Sequence, residues 1–278
     1  LVGLLALIGC DGDKSLPKDT GGVAAPVPGD LQAGFARVVI PGPVGMGTVG
    51  YGPTGGPETD SPYTEIYPAT RAIHGAPEVK VAILSRGDAF EVIFARFDSV
   101  GVFQQFRREV VLRVMERSGR DIDAALVMGG THTHAGPGRI VDGGTLFSII
   151  ADSFFPEYYE IFVNAVVDAI LAAYDDLAPA RMGVGEGYCA DGHGDRRCED
   201  GGPDYENGFL PLLGIERGGE LEVLITSYAV HGTVLSLDDL TLSQDVHGAI
   251  EQAIEDRFDH PVEVMLFNAW GADMSPGD

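Results

Sequence analysis

Apolar positions along this chain change period several times, and each change marks an element. VKVAILSRGDAFEVIFARFD alternates apolar and polar residues on both sides of Gly87-Asp88, the pattern of two strands joined by a turn. VFQQFRREVVLRVMERSG repeats its apolar residues at helical spacing. Phe103, Phe106, Val110 and Val114 share one face, and Gly119 stops the helix. AALVMGG reads as a short apolar strand. PEYYEIFVNAVVDAILAAYDDL reads as a helix with Pro156 in its first turn. ELEVLITSYAV is a strand after the Gly218-Gly219 turn, and QDVHGAIEQAIEDRF is a helix capped by Ser243 or Asp245. PVEVMLFNA is read as the last strand. Strands and helices alternate, which predicts an α/β domain.

The first thirty residues break the pattern. The apolar run Leu1 to Gly9 is far shorter than the roughly 20 residues a membrane helix needs, and it fits the core of an export signal. Its ending, LIGC, resembles a bacterial lipobox, in which Cys10 carries lipid. A cleaved signal beside a plain cysteine, or a short buried strand, is the alternative. From Asp11 to about Asp30 the chain turns rich in Gly, Pro, Asp and Lys and reads as a flexible tether. The expected organisation is a signal and lipobox segment over 1–10, a linker over 11–30, and one domain over 31–278. The expected location is the bacterial cell envelope, by export and a lipid anchor at Cys10.

Composition narrows the partners. A net charge of −24 repels phosphate backbones and anionic lipid, which argues against nucleic acid and against electrostatic docking on a membrane. Of the 278 residues 45% are hydrophobic, enough for one large core. Cys189 and Cys198, in CADGHGDRRC, are spaced to close as a disulfide in an oxidising compartment. A Cys/His metal loop with His193 is the alternative, and it lacks a fourth ligand nearby. The Gly/Pro-rich loop PGPVGMGTVGYGPTGGPETDSP has no Gly-Lys-Ser/Thr ending and is no P-loop.

Polar residues then fall at strand ends. His132 and His134 follow AALVMGG, His231 follows ELEVLITSYAV, and Ser275 follows PVEVMLFNA. Ligands of α/β folds bind at the carboxyl ends of strands, so these groups are expected to converge. On an extended chain His132 and His134 point the same way. With His231 they offer three imidazole nitrogens, enough for a catalytic zinc ion that activates water. Local readings compete: a serine before proline is a common helix cap or turn residue, Asp245 a cap, and Arg196 and Arg197 solvated loop charges.

A family resemblance adds roles. THTHAGPG resembles the T-H-T-H-S-G-P-G signature of the neutral/alkaline, non-lysosomal ceramidases. YAVHGT resembles their F-A-V-H-G-T, NAWGADMSPGD their N-x-G-x-x-S-P-N, and AGFARVVIPGP their opening strand and loop. The resemblance implies a fold of mixed β-sheets layered with helices. It implies a zinc-dependent amide hydrolase that cleaves N-acylsphingosine, or a related lipid amide, to a sphingoid base and a fatty acid. By position, His132 and His231 match the zinc-binding histidines, His134 and Arg196 match groups near the scissile amide, and Ser275 matches the catalytic serine. The chain departs from the family at Ala135, where serine is usual, and at Gly277, where asparagine is usual. The family's remaining zinc ligands, a glutamate and a tyrosine, come from a second half of the domain, and this sequence stops at Asp278. Two other readings stay open: an amidohydrolase barrel, which also carries H-x-H after a strand, and a surface lipoprotein that keeps the fold as a non-catalytic binding module.

Overall fold

Period-two alternation organises the first sheet. In β3 (Glu78–Ser85), Val79, Val81 and Ile83 face one way and Lys80, Ala82 and Leu84 the other, and every residue of the strand is buried. The structure, a computed structural model, describes residues 31–52, 61–189, 192–196 and 208–276. The lipobox and linker lie outside the described residues, as does Cys198. β3 runs antiparallel to β1 (Gln32–Val39) and to β4 (Glu91–Phe97), and β4 pairs in parallel with β5 (Leu126–Gly130). The two-residue β6 (Ala178–Pro179) completes a five-stranded sheet in the order β5-β4-β3-β1-β6.

The helices cover one face of this sheet. α1 (Gln104–Ser118) buries Phe106, Val110 and Val114, and Gly119 ends it in the left-handed conformation, as the sequence predicts. α3 (Pro156–Asp175) carries Pro156 in its first turn and buries Phe162, Val163, Val166 and Ile170 against Val79, Val81, Ile83, Ile93 and Phe97. Between them lies α2 (Gly144–Ala151), eight residues that periodicity did not reveal.

A second sheet covers the other face, in the order β12-β10-β9-β7. Its strands are β7 (Arg181–Tyr188), β9 (Phe209–Arg217), β10 (Glu220–Tyr228) and β12 (Glu263–Asn268). Ile215, Val223, Ile225 and Met265 of this sheet meet Ala33, Ala82 and Leu84 of the first. Its outer face packs Leu212, Leu224 and Val264 against Ile254 of α4 (Asp245–Glu255). The layers therefore run helix, sheet, sheet, helix, an α/β fold with mixed sheets. Both sheets are open and mostly antiparallel, so the amidohydrolase barrel, which needs a closed parallel sheet, is excluded.

Four short strands pair outside the two sheets. β2 (Ala72–His74) pairs with β11 (Thr241–Ser243), and β8 (His193–Asp195) pairs with β13 (Met274–Pro276). Two expectations are corrected here. PVEVMLFNA is not the last strand, because β13 follows it. Neither Ser243 nor Asp245 occupies the N-cap of α4, which is Gln244. Ser243 Oγ still accepts the Asp245 N–H at 3.0 Å and Asp245 Oδ1 the Val246 N–H at 2.6 Å, so both bond the first N–H groups of the helix from other positions. No helix among the described residues is long and apolar enough to cross a membrane.

Candidate metal centre

β5 and β10 end beside each other, and the two segments that follow them are joined by a bridge between Thr133 and Gly232. The approach is close: a Cβ at Gly232 would stand 2.5 Å from the His132 carbonyl oxygen, so this position needs glycine. The His134 N–H donates to the Gly232 carbonyl at 2.8 Å. The bridge thus delivers His132, His134 and His231 to one place, the three ligand nitrogens lying within 4.8 Å of one another. This is a group of three potential metal-ligating side chains among the described residues, assembled from two sheets rather than one.

Simple alternation does not bring the pair together as expected. His132 has φ 63°, a left-handed conformation that costs a β-substituted residue energy and so needs surrounding support. That support is present: its N–H donates to Ser99 O at 2.9 Å, and its Nδ1 lies 2.5 Å from Val100 O. The turn still leaves Nε2 of His132 and Nε2 of His134 3.4 Å apart.

Hydrogen bonding fixes two tautomers. A backbone carbonyl only accepts, so Nδ1 of His132 carries the proton toward Val100, and Nδ1 of His231 carries it toward Gly271 O at 2.9 Å. Each ring then keeps its lone pair on Nε2, and a carbonyl on Nδ1 is the arrangement that orients a metal-binding imidazole. At His231 the Arg196 Nη2 stands 3.4 Å from that Nε2. His134 differs, because its Nδ1 is buried with no hydrogen-bond partner. Tyr51 packs edge-on against its ring at 4.9 Å, and a Cβ at Gly50 would meet its Nδ1 at 2.5 Å.

Electrostatics favours the neutral form of His134 and His132. Burial, reinforced by His132, His231 and Arg196, pushes His134 down to about 3. Burial also lowers His132, partly offset by its bond to Val100 and reinforced by Arg196. A neutral imidazole is the form that binds a metal ion. The donor set of three converging imidazoles, His134 and His231 buried and His132 half-buried, two of them held by carbonyls, therefore fits zinc.

Arg196 and Ser275 border this group. Nη2 of Arg196 donates to Ala272 O at 2.6 Å and stands 3.2 Å from Nδ1 of His231. Its own N–H donates to Asp273 O. Arg196 is thus no freely solvated loop charge. The His231 N–H donates to Met274 O at 2.8 Å, and Ser275 is the next residue, in β13 opposite Gly194. Ser275 lies in a strand, so the helix-cap reading fails. Cys189 is disulfide-bonded, which removes it as a thiolate ligand, and its carbonyl accepts from the Tyr228 hydroxyl at 3.0 Å. Ala135 is buried, its carbonyl accepts from the Ser243 N–H, and its N–H donates to Thr133 Oγ1. The alanine in place of serine therefore sits in the supporting backbone of the site.

Sequence reasoning missed the groups beneath the histidines. Asp245, read as a cap, accepts from the N–H groups of Val234 and Leu235, just past His231. His247 is fully buried and neither ring nitrogen has a partner among the described residues. The left-handed backbone at Asp245, φ 55°, is the kind of signal only coordinates carry.

Comparison with known proteins agrees with the motifs. Residues 80–200 match the family model described as neutral/alkaline non-lysosomal ceramidase, N-terminal. The matched segment contains His132, His134 and Arg196; His231 and Ser275 lie beyond it. The neutral ceramidase of Mycobacterium tuberculosis is 28% identical over 156 residues, covering 52% of this chain and 24% of that protein. Neutral ceramidase A of Dictyostelium discoideum is 24% identical over 192 residues, covering 64% of this chain and 27% of that protein. The chain thus spans about a quarter of the length of these relatives. The crystal structure of the neutral ceramidase from Pseudomonas aeruginosa superposes with a TM-score of 0.76 at 18% identity, covering 89% of this chain and 39% of that one. That likeness is one of fold. The resemblance to the neutral/alkaline ceramidases read from the sequence is borne out by both kinds of match.

Proposed function

We propose that this chain carries part of the catalytic site of a zinc-dependent amide hydrolase acting on ceramide-like lipid amides. The observation that carries the reading is the convergence of His132, His134 and His231, with two rings anchored through Nδ1 to backbone carbonyls. The match of residues 80–200 to a ceramidase family model supports the substrate class.

His132 and His231 are the residues that would hold zinc, each through Nε2. Bound there, zinc supplies Lewis acidity toward a carbonyl oxygen and toward water. The chain's own groups do the rest. His134, neutral and buried, borders the pair on the side of Tyr51 and positions the amide. Arg196 brings a guanidinium beside His231, where it stabilises negative charge developing on the carbonyl oxygen. Its charge also opposes protonation of His132 and His134, which keeps both available in the neutral form. Ser275 offers a hydroxyl that either attacks the carbonyl or orients the attacking water. The non-catalytic alternative finds less support, because a binding module has no need of neutral imidazoles converging beside a guanidinium.

The test is metal content and turnover in the whole natural protein. Stoichiometric zinc with hydrolysis of a fluorogenic N-acylsphingosine is the expected result. Zinc binding without turnover on any lipid amide would favour the binding module, and protein unable to bind zinc would overturn the metal reading.

A further inference from the structure

Beneath the histidines, between the two sheets, lies a network of buried charges. Lys80 and Arg96, both almost fully buried, face Glu78, Asp98 and Glu251, which are equally buried. Arg96 donates from Nη1 to Asp98 and from Nη2 to Glu251, each at 2.9 Å. Lys80 lies 3.1 Å from Glu251 and 3.0 Å from Glu255, and donates to Val264 O at 2.8 Å. The other oxygen of Glu251 accepts from the Leu266 N–H at 2.7 Å. The network therefore joins β3 and β4 of the first sheet to β12 of the second and to α4.

Two arms lead from it to the histidines. In the first, Asp98 Oδ1 accepts from the Thr131 hydroxyl at 3.1 Å, directly before His132. The two residues after Asp98, Ser99 and Val100, supply both carbonyls that hold His132. In the second, α4 is held at Glu251 and carries Asp245 at its start, whose carboxylate takes the N–H groups of Val234 and Leu235 after His231. The arms are cross-tied, because Thr133 Oγ1 donates to Ser243 O at 3.0 Å and the Ser243 N–H to Ala135 O at 2.8 Å.

Buried ion pairs contribute little net stability, since desolvation offsets their attraction, but their directional bonds are costly to misplace. We infer that this network is a positioning device: through Asp98–Thr131 and through α4–Asp245 it sets the spacing of His132 and His231, so that residues which never touch the metal fix its affinity. The inference rests on the zinc reading of the histidines. Lys80, Arg96, Asp98, Glu251, Thr131 and Asp245 are positioning residues in this sense. Groups supporting metal ligands in this way typically change metal affinity by about ten- to hundredfold when altered.

The experiment measures the zinc dissociation constant of the whole apoprotein by competition with a chromophoric chelator, alongside its thermal melting without metal. Thr131→Val removes one hydroxyl, keeps the shape and disturbs no charge. It is expected to weaken zinc about tenfold or more, while Thr131→Ser, which keeps the hydroxyl, binds as the wild type. Asp245→Asn tests the second arm independently and tolerates the left-handed backbone; it too is expected to weaken zinc. Wild-type affinity in folded Thr131→Val and Asp245→Asn, even with lowered melting temperatures, would overturn the inference and leave the network structural. A different result, a wild type that binds no zinc and is indifferent to His132→Ala, would overturn the metal reading itself.

Discussion

Nε2 of His132 stands 3.4 Å from Nε2 of His134, and the first of these atoms carries no proton, because Nδ1 of the same ring is committed to Val100 O. Either His134 lends it a hydrogen, or both nitrogens turn bare lone pairs toward a common point. In the first case His134 stays outside a metal's shell, and the two rings anchored through Nδ1 to carbonyls, His132 and His231, are the pair that would meet a cation. His132→Ala and His231→Ala are therefore expected to abolish zinc binding and lipid-amide hydrolysis together. His74→Ala and His260→Ala, outside the group, should change neither. Stoichiometric zinc, measured by atomic absorption in both ligand variants, would refute the assignment.

His134 has the same chemistry and a different support. Its Nδ1 has no carbonyl to orient it and is buried without a partner. A group placed for substrate rather than metal fits that freedom. His134→Ala is expected to lower turnover at least about a hundredfold while zinc is retained. Loss of zinc in that variant would make it the third ligand instead.

Ser275 sits one residue past the carbonyl that anchors the His231 backbone. Its hydroxyl is assigned to the substrate and not to the metal, so Ser275→Ala should reduce kcat at least about a hundredfold with zinc content unchanged. Near-normal turnover would return Ser275 to a purely structural position in β13.

Arg196 is held at its backbone by Asp273 O and at its side chain by Ala272 O. A guanidinium can donate there and still face a carbonyl oxygen, whereas a lysine ammonium is a point charge. Arg196→Lys is expected to lower kcat about a hundredfold, the scale of losing one oxyanion donor, with a smaller change in KM. An effect confined to KM would show that Arg196 only binds the ground state.

How far these roles could be read from the sequence depended on the kind of information each needed. Helical spacing in α1 and α3 and the turn at Gly87-Asp88 are local, and they folded as read. The strand ends carrying His132 and His231 were legible because polar residues following apolar runs stand out, whereas Ser275, expected after the run of β12, lies in a strand of its own, β13. β7 and β9 were missed: in β7, RMGVGEGY places glycine at every second position, so one face has no side chains past Arg181 and the other mixes Met182, Val184 and Tyr188 with Glu186. Lys80 and Arg96 were hidden for a different reason. Alternation in β3 and β4 puts both on the face away from the helices, which in a one-sided sheet would be solvent. Only the second sheet, a tertiary fact, buries them. The turn at His132 likewise cannot be inferred from residue types.

The lipobox remains an expectation from LIGC alone. Cys10→Ser is expected to release the protein from membranes while the domain stays folded, since the acidic surface offers no electrostatic attachment. Fractionation that finds this variant still bound to membranes would remove Cys10 as the anchor.

His247 makes a prediction about acid. It is fully buried on α4, one turn before Glu251, and burial, reinforced by Arg96, His132 and His231, pushes it from 6.5 down to about 3. The unfolded chain binds a proton at this residue below pH 6.5 and the folded one does not until about pH 3. Stability is thus fully present above the unfolded value and is lost progressively as pH falls through this window. Burial raises Asp98 and Glu251, which act in the opposite sense, so the difference between two variants is more telling than either curve. His247→Leu removes the titrating ring and, because neither nitrogen has a partner among the described residues, breaks no hydrogen bond there. In metal-free protein, urea midpoints of the wild type should fall between pH 6.5 and 4 more steeply than those of His247→Leu. Parallel curves would mean that the folded state accommodates a protonated His247, and that the site above it is less sealed from solvent than its burial indicates.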